Sequence, residues 1–138
     1  MKTHILLATH GKFAEGIKTS VELIMGKIEN LETMNCYCDE KVTTSEVIRK
    51  TVSEFNYGES KLIVVTDLFG GSVNNEFIKY IDEYPFILIT GLSLPLLLQL
   101  ILHRERLDEA TIKEIIENAN NFTLCCNYIK PCFEDNDK

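Results

Sequence analysis

Short unbroken apolar runs alternate along this chain with stretches in which apolar residues recur every three or four positions. Ile5-Leu6-Leu7-Ala8 is the first run. A continuous apolar run of this length predicts a central strand buried on both faces. After a turn at His10-Gly11, residues Ala14, Ile17, Val21, Ile24 and Met25 mark one side of an amphipathic helix that stops at Gly26. Leu31 to Cys38 is a weaker strand candidate. Thr43 and Glu46 then form a capping-box pattern ahead of a helix that turns Val47, Ile48, Val52 and Phe55 inward and closes at Gly58.

The second half repeats the alternation. Leu62-Ile63-Val64-Val65 is the strongest strand signal, being short, apolar and β-branched. It runs through Thr66-Asp67 into Leu68-Phe69-Gly70-Gly71-Ser72, where Ser72 is the expected N-cap of a helix that buries Phe77 and Ile81 and breaks at Pro85. Phe86 to Ile89 is a fourth buried strand, and Gly91 turns the chain into a helix over Leu94–Leu102. That apolar stretch is too short to span a bilayer. Asp108 caps a last helix carrying Ile112, Ile115, Ile116 and Ala119, and Phe122 to Cys126 is expected as a final edge strand. Residues 1–130 therefore form one domain, and 131–138 a polar tail. Strands that alternate with helices imply an α/β fold, a three-layer sandwich around a mostly parallel sheet with right-handed crossovers.

The formal net charge of -7 argues against a nucleic-acid partner, because phosphate backbones attract basic surfaces. The five cysteines, Cys36, Cys38, Cys125, Cys126 and Cys132, are odd in number, irregularly spaced and without a Cys-x-x-Cys pair. They suggest neither a disulfide framework nor a zinc site, and fit idle thiols in a reducing cytoplasm. The N-terminal apolar run is too short for a signal peptide, so a cytoplasmic location is expected.

In open α/β sheets, sites form beyond the carboxyl ends of the strands, where the strand order reverses. With a strand order of 2-1-3-4, the first and third strands are neighbours, and His10 and Asp67 lie side by side at the switch point. A carboxylate that accepts from one imidazole nitrogen fixes the tautomer and aims the other nitrogen outward. That lone pair can attack phosphorus, bind a metal or take a proton. The Gly70-Gly71-Ser72 turn selects among the three. It precedes a helix N-terminus, whose unpaired N–H groups favour an anion, and glycines let backbone come close to a ligand. Thr9 and Ser72 are expected to add hydroxyl donors to this phosphate site. His4 and His103 lack such surroundings: His4 is expected in or beside the first strand, and His103 lies beside Arg104 and Arg106 near a helix C-terminus. Neither a Walker-type phosphate loop nor a Gly-x-Ser-x-Gly elbow is present.

Residues 5–16, Ile-Leu-Leu-Ala-Thr-His-Gly-Lys-Phe-Ala-Glu-Gly, together with Val64 to Ser72 and with Gly91-Leu92-Ser93-Leu94-Pro95-Leu96, resemble the signatures of the enzyme IIA components of the mannose/sorbose-type sugar phosphotransferase system. The resemblance implies that His10 takes a phosphoryl group from the carrier protein HPr at Nε2, with Nδ1 facing Asp67. The group then passes to a histidine of enzyme IIB, which serves the membrane components IIC and IID. No cofactor or metal is implied. Thr9 and Ser72 match positions lining the phosphate, and Phe13, Phe69 and Leu94 are candidates for an apolar rim that partners dock on. The resemblance also implies a homodimer that exchanges the last strand, here Phe122 to Cys126.

Two positions depart from the family pattern. Val73 stands where proline is frequent, and Ser93 where asparagine is frequent. Three other readings compete: the phosphotransfer subunit of a dihydroxyacetone kinase, a regulatory module of the same fold, and a metal site in which Cys36 or Cys38 joins His10 and Asp67.

Overall fold

The computed structural model describes residues 1–129. Four strands, β1 (Lys2–His10), β2 (Leu31–Cys36), β3 (Ser60–Thr66) and β4 (Ile87–Thr90), form a parallel sheet of order β2-β1-β3-β4. Between and after them come α1 (Phe13–Met25), α2 (Thr44–Glu54), α3 (Ser72–Ile78), α4 (Leu94–Leu102) and α5 (Glu109–Ala119). The α/β fold is the one the alternation of patterns predicts, and the strand order is the expected 2-1-3-4.

Strand periodicity explains the three layers. Successive side chains on a strand point to opposite faces. Ile5 and Leu7 of β1 and Ile63 and Val65 of β3 therefore enter one core, with Ala14, Ile17 and Val21 of α1, Leu97 and Leu100 of α4, and Ile112 and Ile115 of α5. Leu6 and Ala8 of β1 and Leu62 and Val64 of β3 enter a second core, with Ile48 and Val52 of α2 and Val73 and Phe77 of α3. Both faces are covered, so both residue parities must be apolar, and the strands read as unbroken runs.

Several local expectations are corrected. The α3 helix ends at Ile78, well before Pro85, and Ile81 is exposed on the turns that follow. The helix needs only Val73, Asn74 and Phe77 to cover its part of the sheet. Ile24 of α1 is exposed, outside the buried stripe of Ala14, Ile17 and Val21. Thr43 is the N-cap of α2, but its side chain makes no capping hydrogen bond, and α2 ends at Glu54, ahead of Gly58. Two N-caps satisfy a free N–H of the first helical turn: Asp108 accepts from the Thr111 N–H of α5 and Ser93 from the Leu96 N–H of α4.

The expected last strand does not form in the single chain. Phe122 closes a 3-10 turn over Asn120–Phe122, and residues 123–126 pair with no strand among the described residues. The polar tail 131–138 lies outside the described residues. No helix among the described residues is long and apolar enough to cross a membrane.

Phe77 fills the second core with no exposed surface and packs edge-on to Phe86. Replacing it with alanine is expected to lower the unfolding free energy by about 3–5 kcal/mol. Urea denaturation checks this; a loss below about 1 kcal/mol would contradict the packing.

Candidate functional site

The carboxyl ends of β1 and β3 meet at the point where the sheet order reverses, and His10 and Asp67 stand there. Asp67 Oδ2 accepts the backbone N–H of His10 at 2.8 Å and lies 3.0 Å from its ring Nδ1. One carboxylate oxygen thus holds both the main chain and the side chain of the same residue. A carboxylate can only accept, so the proton sits on Nδ1 and Nε2 carries the free lone pair. Nε2 lies 3.2 Å from Ser72 Oγ, which donates to it in this tautomer.

The electrostatics agree with this arrangement. Burial on its own would raise the Asp67 carboxyl, but hydrogen bonds from the His10 backbone N–H and ring N–H, with the Coulombic pull of His10, outweigh it, and the group is held below the usual aspartate range. Asp67 stays ionised at neutral pH. Its other oxygen, Oδ1, is buried without a hydrogen-bond partner among the described residues. The His10 side chain is 43% exposed and that of Asp67 15%, so the imidazole meets solvent above a largely covered carboxylate.

Local backbone chemistry sets the approach from α3. Gly70 lies in the left-handed region at φ 80°, where glycine carries no steric penalty. Gly71 is the N-cap of α3. A Cβ at Gly71 would stand 3.1 Å from Leu68 O and 3.2 Å from His10 Cε1, so the ring packs against bare backbone. Ser72, expected as the N-cap, is instead the first residue of the helix, and its hydroxyl is turned to His10. Behind the turn, Thr66 donates to the buried Asn74 Oδ1 at 2.7 Å and lies 2.8 Å from Thr90 Oγ1. This trio ties α3 to the ends of β3 and β4.

Thr9 is placed differently from expectation. It has no exposed surface, and its Oγ1 accepts the Ala14 N–H at 2.8 Å, capping α1. Neighbouring strand residues face opposite sides, so a β1 that aims His10 at α3 must aim Thr9 at α1. Phe69 is 78% exposed on the turn before α3, and Phe13 is exposed at the start of α1. Leu94 is half-buried against the first core at the start of α4, which follows β4, two strands from β1. His4 packs edge-on to Phe55 within β1, and His103 Nδ1 lies 2.9 Å from Gln99 O, so neither joins the site.

Two residues at the end of β2 border the site: Cys36, weighed only as a metal ligand, and Tyr37, which no local sequence motif singles out. Cys36 pairs with His10 in register. Its thiol is pushed up to about 11 by burial, and further by Asp67 and Cys38, so it stays protonated. Among the described residues, no three His, Cys, Asp or Glu side chains are grouped to hold a metal ion. Tyr37 follows, and its ring stacks on that of His10 with centroids 5.6 Å apart and planes inclined by 29°. It does so at φ 65°, a left-handed conformation that costs a non-glycine residue about 1–2 kcal/mol. The signal was available: if sites gather beyond strand ends, the end of β2 borders β1 as closely as the end of β3 does.

Fold and site together define a parallel α/β domain with an outward-facing, carboxylate-held histidine at its switch point. The chain belongs to the EIIA-man family, PTS system fructose IIA component, whose model matches residues 4–120. It is thus a IIA-type component of a sugar phosphotransferase system. Among solved structures, it is similar to a phosphoenolpyruvate-dependent sugar phosphotransferase system permease from Klebsiella pneumoniae, with 39% identity, 93% of each chain covered and a TM-score of 0.86. It also resembles the IIA protein associated with the fucose utilization operon of Streptococcus pneumoniae, with 28% identity, 92% of this chain and 95% of that one covered, and a TM-score of 0.77. The mannose/sorbose-specific IIA subunit of Enterococcus faecalis shares the fold, with 20% identity, 94% of each chain covered and a TM-score of 0.63.

The depressed carboxyl gives a signed pH dependence. A carboxylate held below its unfolded value of about 3.9 stabilises the fold fully above that value, and this contribution is lost as pH falls through the folded value. Wild type is therefore expected to lose stability as pH drops from about 5 toward about 2, and Asp67→Asn to lose less over the same window. Urea unfolding at stepped pH checks this; identical acid profiles would remove Asp67 as a contributor.

Proposed function

We propose that the chain is a phosphoryl carrier that accepts phosphate from phospho-HPr on His10 Nε2 and passes it to a histidine of its cognate enzyme IIB. The observation that carries this is the Asp67 oxygen shared by the His10 backbone N–H and ring Nδ1, which leaves Nε2 as the nucleophile.

The Nε2 lone pair attacks phosphorus, the donor's N–P bond breaks, and its electron pair returns to the donor ring. The proton on Nδ1 stays where it is, shared with Asp67. The phosphorylated ring is therefore positively charged, and the adjacent carboxylate offsets that charge. A positively charged ring is also a good leaving group, which suits a relay that must give the phosphoryl group away again. Ser72 Oγ, which occupies Nε2 at rest, turns its O–H to a phosphoryl oxygen once the N–P bond forms. The backbone of Gly70 and Gly71 approaches the same oxygens. Positioning and charge stabilisation supply the catalysis, as phosphoryl transfer between similar acceptors requires.

Phe69 and Phe13, exposed beside His10's turn and on the first turn of α1, are proposed to form an apolar rim used by both partners, with Leu94 at its far edge. Transfer to IIB would couple the chain to the membrane components IIC and IID. A homodimer is part of the same reading. Residues 122–126 would be exchanged between subunits, and the exposure of Phe122 and Leu124 in the single chain supports this.

Incubation with phosphoenolpyruvate, enzyme I and HPr, followed by intact-mass measurement, is expected to show one acid-labile phosphoryl group. His10→Ala should show none while remaining folded, and Asp67→Ala should charge more slowly, by about 10²-fold. No charging of wild type, with HPr shown to be phosphorylated, would overturn the assignment and favour a kinase-type or regulatory partner.

A further inference from the structure

We propose that Tyr37 is a positioning residue of this site, whose aromatic face holds the His10 ring in plane and stabilises the positive charge that ring carries while Nε2 is phosphorylated. This deepens the carrier reading above and rests on it for the charge state of the ring.

Three observations on different parts of Tyr37 support it. The first is contact: its ring stacks on the His10 ring at a centroid separation of 5.6 Å, within the range in which an aromatic face attracts a cation. The second is backbone: Tyr37 is one of only two non-glycine residues at positive φ among the described residues, the other being Asn30. Asparagine tolerates that region through its short polar side chain, whereas a tyrosine there is an outlier. Strain of this kind persists only where the surroundings over-determine it, and it gathers at working sites. The third is placement: the residue is more than half exposed, so burial in a core does not explain its position.

The remaining sides of the imidazole already have owners. Asp67 holds Nδ1, Ser72 faces Nε2, and the Gly71 backbone closes on Cε1. Each of these acts at a single ring atom, whereas rotation about the Cβ–Cγ bond swings the whole ring out of its plane and is opposed by a contact across its face. A stacked face supplies that restraint. It also responds to charge. When the Nε2–P bond forms and the donor's N–P bond breaks, no proton leaves Nδ1, and the ring becomes a phosphorylated imidazolium. The electron-rich face of tyrosine is attracted to that form more than to the neutral ring, so the stack favours the charged product.

Two variants separate this role from a structural one. Tyr37→Phe keeps the aromatic face. Tyr37→Gly removes it and places at φ 65° the residue that region suits, so folding stability should hold or rise. With limiting phospho-HPr, Tyr37→Phe should charge like wild type. Tyr37→Gly should charge about threefold to tenfold more slowly and reach a lower phosphorylated fraction. In proton NMR, the His10 ring signals should move downfield in Tyr37→Gly, as the shielding of the stacked ring is lost, and stay in place in Tyr37→Phe. Unchanged charging in Tyr37→Gly, an equal loss in Tyr37→Phe, or unmoved ring signals would each overturn the proposal. Phosphoramidate, a small-molecule phosphoryl donor, keeps the two readings apart. If it charges wild type and Tyr37→Phe further than Tyr37→Gly while phospho-HPr charges none of them, the carrier reading fails and the role of Tyr37 stands. If it charges all three alike, the role of Tyr37 fails.

Discussion

One oxygen atom holds the site together. Asp67 Oδ2 accepts from both the backbone and the ring of His10, joining the end of β3 to the end of β1 at the sheet's reversal point. Everything else at the site is arranged about that junction. The carboxylate selects the tautomer, the tautomer frees Nε2, and the turn before α3 brings Ser72 and bare glycine backbone to the freed side. The junction in turn depends on the parallel pairing of β1 with β3, which runs from Lys2 opposite Ser60 to Ala8 opposite Thr66 and so delivers the next residues side by side. A slip of one residue in that pairing would turn every inward side chain to the wrong face and separate the pair.

The same alternation decides what could be read from the residues alone. Unbroken apolar runs were enough for a sheet covered on both sides, and the switch-point rule was enough to pair His10 with Asp67. Thr9 shows where sequence proximity misled. It adjoins His10 in the chain, yet strand parity sends its hydroxyl to cap α1 in the interior. Ser72 had the right residue type for a helix cap, but Gly71 takes that position and leaves the hydroxyl available to the histidine. Tyr37 is not legible in the local sequence because nothing near it marks a left-handed tyrosine; only the adjacency of β2 and β1 places it over the ring. Residues 123–126 form no strand in the single chain because an edge strand needs a neighbour, and none of the four strands pairs with them.

The distribution of burial suits a relay. Both cores beneath the site are apolar and close-packed, while the imidazole and the turn residue Phe69 stay exposed. A rigid base with an accessible nucleophile allows two partners to approach the same nitrogen in turn without any rearrangement of the sheet. Tyr37, strained at positive φ, sits at this exposed end, where strain can be maintained by contacts with the reacting ring.

The central claim is that Asp67 keeps the proton on Nδ1 and reserves Nε2 for phosphorus. Nitrogen-15 NMR of the His10 ring, before and after phosphorylation, tests it most directly. The account predicts a protonated Nδ1 in both states and a phosphorus-coupled Nε2 in the second. A phosphoryl group found on Nδ1, or a resting ring protonated on Nε2 with Nδ1 bare, would contradict it.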